Sequence, residues 1–178
     1  MSDRTLLLGA MLVFISCNTG NGFEPDLGLS LIDHSAWQLV PSEEDPFWDT
    51  VEESVPCPEA AYGVEGSGDA SFYEVETTDC NYLTVFQPSL LDVKSGDTLK
   101  ASLWHLPLAA LEPAEAKLFV SIAGEILLEA DIPVPSSEEV YSPNIVADFS
   151  APAGSPIVFH VHNHGINSWR FHKLTVAR

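Results

Sequence analysis

Short runs that alternate apolar and polar residues, separated by turn signals, fill the chain from about residue 71 to its end. Residues 71–77 (SFYEVET) alternate, and residues 82–87 (YLTVFQ) are β-branched and aromatic. A turn ending in Ser95-Gly96-Asp97 precedes residues 98–106 (TLKASLWHL), which set Leu99, Ala101 and Leu103 against Lys100, Ser102 and Trp104. Period two of this kind is the mark of a strand with one buried face. Residues 117–123 and 125–132 flank Gly124 as a hairpin, and residues 143–149 and 155–165 bracket the turn Ala151-Pro152-Ala153-Gly154. Thirteen prolines and the lack of a long amphipathic stretch argue against helices. About eight strands at this spacing predict an all-β domain, an antiparallel β-sandwich spanning residues 36–178.

The first 35 residues read differently. Residues 6–15 form an apolar run too short to span about 30 Å of hydrocarbon, but suited to a signal-peptide core. It ends in Phe14-Ile15-Ser16-Cys17, which resembles the lipobox of bacterial lipoproteins. The resemblance implies a signal peptide over residues 1–16 and a mature chain beginning at lipid-modified Cys17. The chain would then sit in the cell envelope and touch the membrane through its lipid anchor alone. Asn18 follows the cysteine, and the absence of Asp there favours the outer membrane. Residues 17–35, with their glycines and little periodicity, read as a tether. Of the three cysteines, removing Cys17 leaves Cys57 and Cys80, an even pair expected to form a disulfide in an exported protein.

Charge narrows the partners. Seven Lys and Arg stand against 26 Asp and Glu, for a net charge of −19. Nucleic acid is excluded, because binding phosphates needs basic side chains to displace counterions. Between Thr5 and Val93 there is no Lys or Arg, so nearly all of these cations lie in the second half of the chain.

The strand order, the Lys94-Ser95-Gly96-Asp97 turn and a closing segment carrying Asn167-Ser168-Trp169 resemble the galactose-binding-like jelly rolls, which include many carbohydrate-binding modules. The resemblance implies a fold whose members bind sugars, lipids, metals or proteins, and it does not choose among them.

Candidate chemistry concentrates in residues 159–172. In a strand, His160, His162 and His164 share one face and Ile157, Phe159 and Val161 the other. Were Gly165-Ile166 a two-residue turn, His162 would lie opposite Trp169 and His160 opposite Phe171. Three readings follow. As a carbohydrate site or a site for another envelope ligand, Trp169 or Trp104 would stack on a sugar while His105, His160, His162, Asn163 and Asn167 hydrogen-bond its hydroxyls. As a transition-metal site, His160, His162 and His164 would hold Zn or Cu. As a structural protein, the same face would simply be half-buried. Residues 42–45 (SEED) and 66–69 (GSGD) could lend oxygens to a structural Ca²⁺, but their spacing fits a solvated acidic surface better. No nucleophile elbow, phosphate loop or His-Glu-x-x-His motif occurs, so no enzyme activity is expected.

Overall fold

A computed structural model describes residues 28–48 and 54–178; the leader and Cys17 lie outside them. Twelve strands, more than the eight expected, form two antiparallel sheets. The additional ones are short edge pieces that periodicity cannot reveal. The strands are β1 (Leu29–Ser30), β2 (Gln38–Leu39), β3 (Tyr62–Glu65), β4 (Phe72–Glu76), β5 (Tyr82–Pro88) and β6 (Thr98–His105). They continue with β7 (Ala114–Ile122), β8 (Glu125–Val134), β9 (Glu139–Tyr141), β10 (Asn144–Val146), β11 (Pro156–His162) and β12 (Ser168–Ala177). One sheet has five strands in the order β2-β5-β11-β7-β8. The other has seven in the order β10-β6-β12-β4-β3, with β1 also paired to β12 and β9 to β6.

Alternation makes the sandwich. Leu99, Ala101 and Leu103 of β6, Leu118 and Val120 of β7, and Ile157, Phe159 and Val161 of β11 all point inward and are buried. Burying one apolar face per sheet is what drives the two layers together. The expected hairpin is present: β7 and β8 meet at Ile122↔Glu125, joined by Ala123 (φ 53°) and Gly124 (φ 87°). Both positive φ values suit the tight turn that matches the twist of antiparallel strands.

The domain starts before Ala36, so the tether does not extend to residue 35. Leu29 pairs with Val176, Ser30 with Thr175, and Leu31 and Ile32 are buried in the core. Trp37 follows them inward and packs on Tyr73, Phe159 and Phe171. Leu31 and Ile32 are too few residues to show a period, yet they supply apolar surface where β4 ends beside β12.

Cys57 and Cys80 are bridged, with Cα atoms 4.9 Å apart and a separation of 23 in sequence. A loop of that size should stabilise the fold by about 3 kcal/mol on the chain-entropy account. Replacing both cysteines by serine is therefore expected to lower the unfolding free energy from urea denaturation by about that amount, with a steeper transition because the unbridged chain exposes more surface when unfolded.

Candidate ligand-binding surface

The histidine strand does not build the expected surface. β11 lies between β5 and β7, with His160 paired to Thr84 and Phe119 and His162 to Tyr82 and Lys117. β12 belongs to the opposite sheet, where Trp169 pairs with Val75 and His105. Residues 163–167 are thus an arch between sheets and not a hairpin turn, and Phe159 meets Phe171 across the core with ring centres 5.2 Å apart and planes tilted by 57°. Two buried asparagines hold the arch. Asn163 Nδ2 donates to Thr77 Oγ1 at 2.7 Å, and Asn167 Oδ1 accepts from the Ala109 amide at 2.7 Å.

Burial decides most of the remaining candidates. Trp169 and His105 are fully buried, and their rings pack at 5.0 Å. Asn163 and Asn167 are spent on the arch. None of these four can stack on or hydrogen-bond an external sugar.

His160 is also fully buried. The loop that carries Phe47 crosses the outer face of the five-stranded sheet and lays that ring on the imidazole at 4.0 Å, 12° from parallel. Nδ1 meets Thr84 Oγ1 at 2.8 Å, while Nε2 has no partner. Burial first, then the charges of His162 and Lys117, push its pKa down to about 3. His162 is half-buried and held down to about 4 by burial and then by His164. Only His162 and the exposed His164 meet, edge to face at 4.7 Å. Among the described residues, no three His, Cys, Asp or Glu side chains gather as a metal group would need, in this strand or in the acidic segments. Asp45 of residues 42–45 instead accepts hydrogen bonds from Tyr82 Oη and the Phe47 amide.

Trp104 is the sequence candidate that reaches solvent beside polar groups. Its alternation with Leu103 and His105 places it on the outer face of the seven-stranded sheet, half-buried. Phe72 packs edge-on against it at 5.5 Å and His172 at 5.7 Å. Arg170, the cross-strand partner of Trp104, lies 5.0 Å from the Phe72 ring centre and bonds Glu74 through Nε at 2.7 Å. The Trp104 ring is therefore fixed from two sides before any ligand arrives.

A β-bulge completes the surface. Phe171 pairs with Leu103 and Lys173 with Ser102, so His172 is the extra residue. It sends two successive side chains, His172 and Lys173, outward and restores Leu174 to the core. Bulges re-aim side chains in this way. Sequence reading passed over His172, Lys173, Arg170 and Phe72. The available signal was the adjacent polar pair His172-Lys173 in a strand that otherwise alternates.

Beside the bulge, between β1 and the turn before β4, opens a cavity of about 660 Å³. Hydroxyls of Ser30, Ser35, Ser71 and Thr175 line it, together with Asp33, Asp69, His34, His172 and Lys173. Two imidazoles tie its walls: His172 Nε2 donates to the Asp69 carbonyl at 3.0 Å, and His34 Nε2 to the His172 carbonyl at 2.9 Å. Carbonyl acceptors fix the proton on each Nε2. Burial lowers the His34 pKa, against the opposing effect of that hydrogen bond. Hydrogen bonds from the Ser35 hydroxyl and amide lower that of Asp33.

No protein-family model matches the chain, and no curated protein does. Among solved structures it is similar to TmCBM61 in complex with beta-1,4-galactotriose, at 14% identity over 82% of this chain and 90% of that one, TM-score 0.44. It is similar to the CBM22-1 xylan-binding domain from Paenibacillus barcinonensis Xyn10C, at 11% identity over 84% and 94%, TM-score 0.39. A third likeness is the K3 cleaved adhesin domain of Lys-gingipain from Porphyromonas gingivalis, at 10% identity over 84% and 97%, TM-score 0.44.

Proposed function

We propose that the domain is a non-catalytic carbohydrate-binding module whose platform is Trp104 on the outer face of the seven-stranded sheet. The observation that carries this is the fixed, half-exposed indole between Phe72 and His172, next to a cavity rimmed by hydroxyls and carboxylates. Pyranose rings have an apolar face that stacks on indole and a hydroxyl rim that needs paired donors and acceptors. Preorganisation lowers the entropic cost of closing on such a ligand. The cavity volume lies within the range that accepts small ligands.

Calorimetry against a panel including galactotriose, xylohexaose and polysaccharides tests the reading. Trp104→Ala is expected to weaken binding at least about 30-fold, as loss of a central aromatic anchor does. It should leave the thermal midpoint nearly unchanged. Equal affinity of parent and variant, or no glycan bound by either, would reject the proposal.

We further propose that the chain is exported and held on the bacterial envelope, in the outer membrane, by lipid on Cys17. What supports export is the Cys57–Cys80 bridge, since such bridges persist in oxidising compartments and are rare in the cytosol. Mass spectrometry of the mature N-terminus is expected to show acylated Cys17, and Cys17→Ser to release the protein from the membrane fraction. An unmodified Cys17 in membrane-bound protein would refute the anchor.

A further inference from the structure

The basic residues of this acidic chain are not scattered. Seven are present, and Arg4 lies outside the described residues. Of the other six, Lys94 and Arg178 pair with Asp92, and Lys117 with Glu129 and Asp131. Three more, Lys100, Arg170 and Lys173, take outward positions on the adjacent strands β6 and β12, the strands that carry Trp104 and His172, and Arg170 among them also pairs with Glu74.

Register gives their arrangement. Trp104 lies across from Arg170, Ser102 from Lys173, and Lys100 from Thr175. Successive outward rows stand about 7 Å apart along a strand. A cationic file thus runs from the indole along the sheet, in the direction an extended oligosaccharide stacked on Trp104 would take. Arg170 is engaged, its guanidinium bonded to Glu74 and set against Phe72. Lys173 is exposed, and among the described residues no carboxylate pairs with it. The bulge at His172 is what points it outward. Without that extra residue, Lys173 would face the core and Leu174 the solvent.

We infer that the glycan recognised beside Trp104 is anionic, a polysaccharide bearing uronate carboxylates or sulfate esters, with Lys173 as its charge-reading residue. This rests on the carbohydrate reading above and adds the ligand's charge class to it. The acids on the same face are Glu74, Glu76 and Glu65, on β4 and β3, beyond Arg170; Asp33 and Asp69 line the same cavity as His172 and Lys173. The overall charge of −19 does not forbid an anionic ligand. Screening over about 8 Å at physiological ionic strength leaves a bound carboxylate to feel Lys173 and not the acids across the sandwich. An exposed ammonium in an otherwise acidic surface also discriminates by sign, which a neutral sugar would not need.

The experiment compares four polymers on the whole domain by affinity electrophoresis: polygalacturonate, its methyl ester, a sulfated galactan and an unsubstituted galactan. At least one anionic polymer is expected to bind about five-fold or more tighter than its neutral counterpart, the scale of an exposed ion pair. The carboxylate and sulfate arms show which anion is read. Lys173→Gln is expected to lower affinity for the preferred anionic polymer about five-fold, to the level of its neutral counterpart, with the thermal midpoint retained. Equal binding of free acid and ester and of sulfated and plain galactan, or an undiminished preference in Lys173→Gln, would overturn the anionic class and leave the Trp104 platform standing. Loss of binding by Trp104→Ala with no charge preference in the parent would likewise overturn the anionic class alone. Absence of binding to all four overturns both.

Discussion

Trp169→Ala is expected to destabilise the domain by about 3–5 kcal/mol, the range for removing a large aromatic from a closed core. Trp169 is 0% exposed, pairs with Val75 and His105 in the middle of the seven-stranded sheet, and faces the aromatic interior. Truncation leaves a void that Phe171 and Leu103 on neighbouring positions cannot fill without moving the sheet. For a domain of this size the thermal midpoint should fall by on the order of 10 °C or more. Trp169→Phe should cost much less than ring area alone implies, because the indole Nε1 is buried without a partner and its removal relieves that penalty. The contrast with Trp104 is sharp: one tryptophan should move the melting curve and spare binding, the other the reverse. A Trp169→Ala protein that melts like the parent but no longer binds glycan would show that the indole leaves the core to meet ligand.

That contrast also marks where sequence stopped informing. Alternation assigned faces correctly within a strand: Leu99, Ala101 and Leu103 are in and Lys100, Ser102 and Trp104 are out, as period two requires. The turn at Ala123-Gly124 and the Cys57–Cys80 bridge were legible for similarly local reasons. What alternation does not encode is which strand lies alongside. His160 and Trp169 are close in sequence, and a hairpin was the short route between them. The structure instead sends them to different sheets, where Phe159 and Phe171 meet across the core. Pairing of that kind is a long-range choice, made by the summed packing of both layers. The site was half legible for the same reason. Trp104 could be placed outward from its own strand, but His172 and Lys173 depend on a one-residue slip in register relative to β6. Phe72 joins them only because β4 is the other neighbour of β12.

His160 sets the second large expectation, a loss of stability on mild acidification. Its ring is enclosed by Phe47, Tyr82, Phe119 and Thr84, with His162 and Lys117 on the same face and Asp45 bonded to Tyr82 above it. In that enclosure Nε2 has nothing to receive a proton's charge. The pKa falls from 6.5 to about 3, whereas in the unfolded chain the imidazole titrates normally. The unfolded state therefore binds more protons, and stability rises with pH across the window. The contribution is fully present above pH 6.5 and is lost as pH falls toward 3. Some three and a half units at 1.36 kcal/mol each make it on the order of 4–5 kcal/mol, with about 2 kcal/mol gone by pH 5. Carboxylates act oppositely here, since protonating some of the 26 acids relieves repulsion, so the informative quantity is a difference between proteins. His160→Gln can keep a hydrogen bond to Thr84 but does not titrate. Between pH 7 and 5 the parent is expected to lose about 2 kcal/mol more than this variant in urea denaturation. Parallel pH profiles would mean that the Phe47 loop already opens in the native state and lets His160 titrate freely. The face it covers, lined by Tyr82, Phe119 and His162, would then be accessible to solvent at neutral pH.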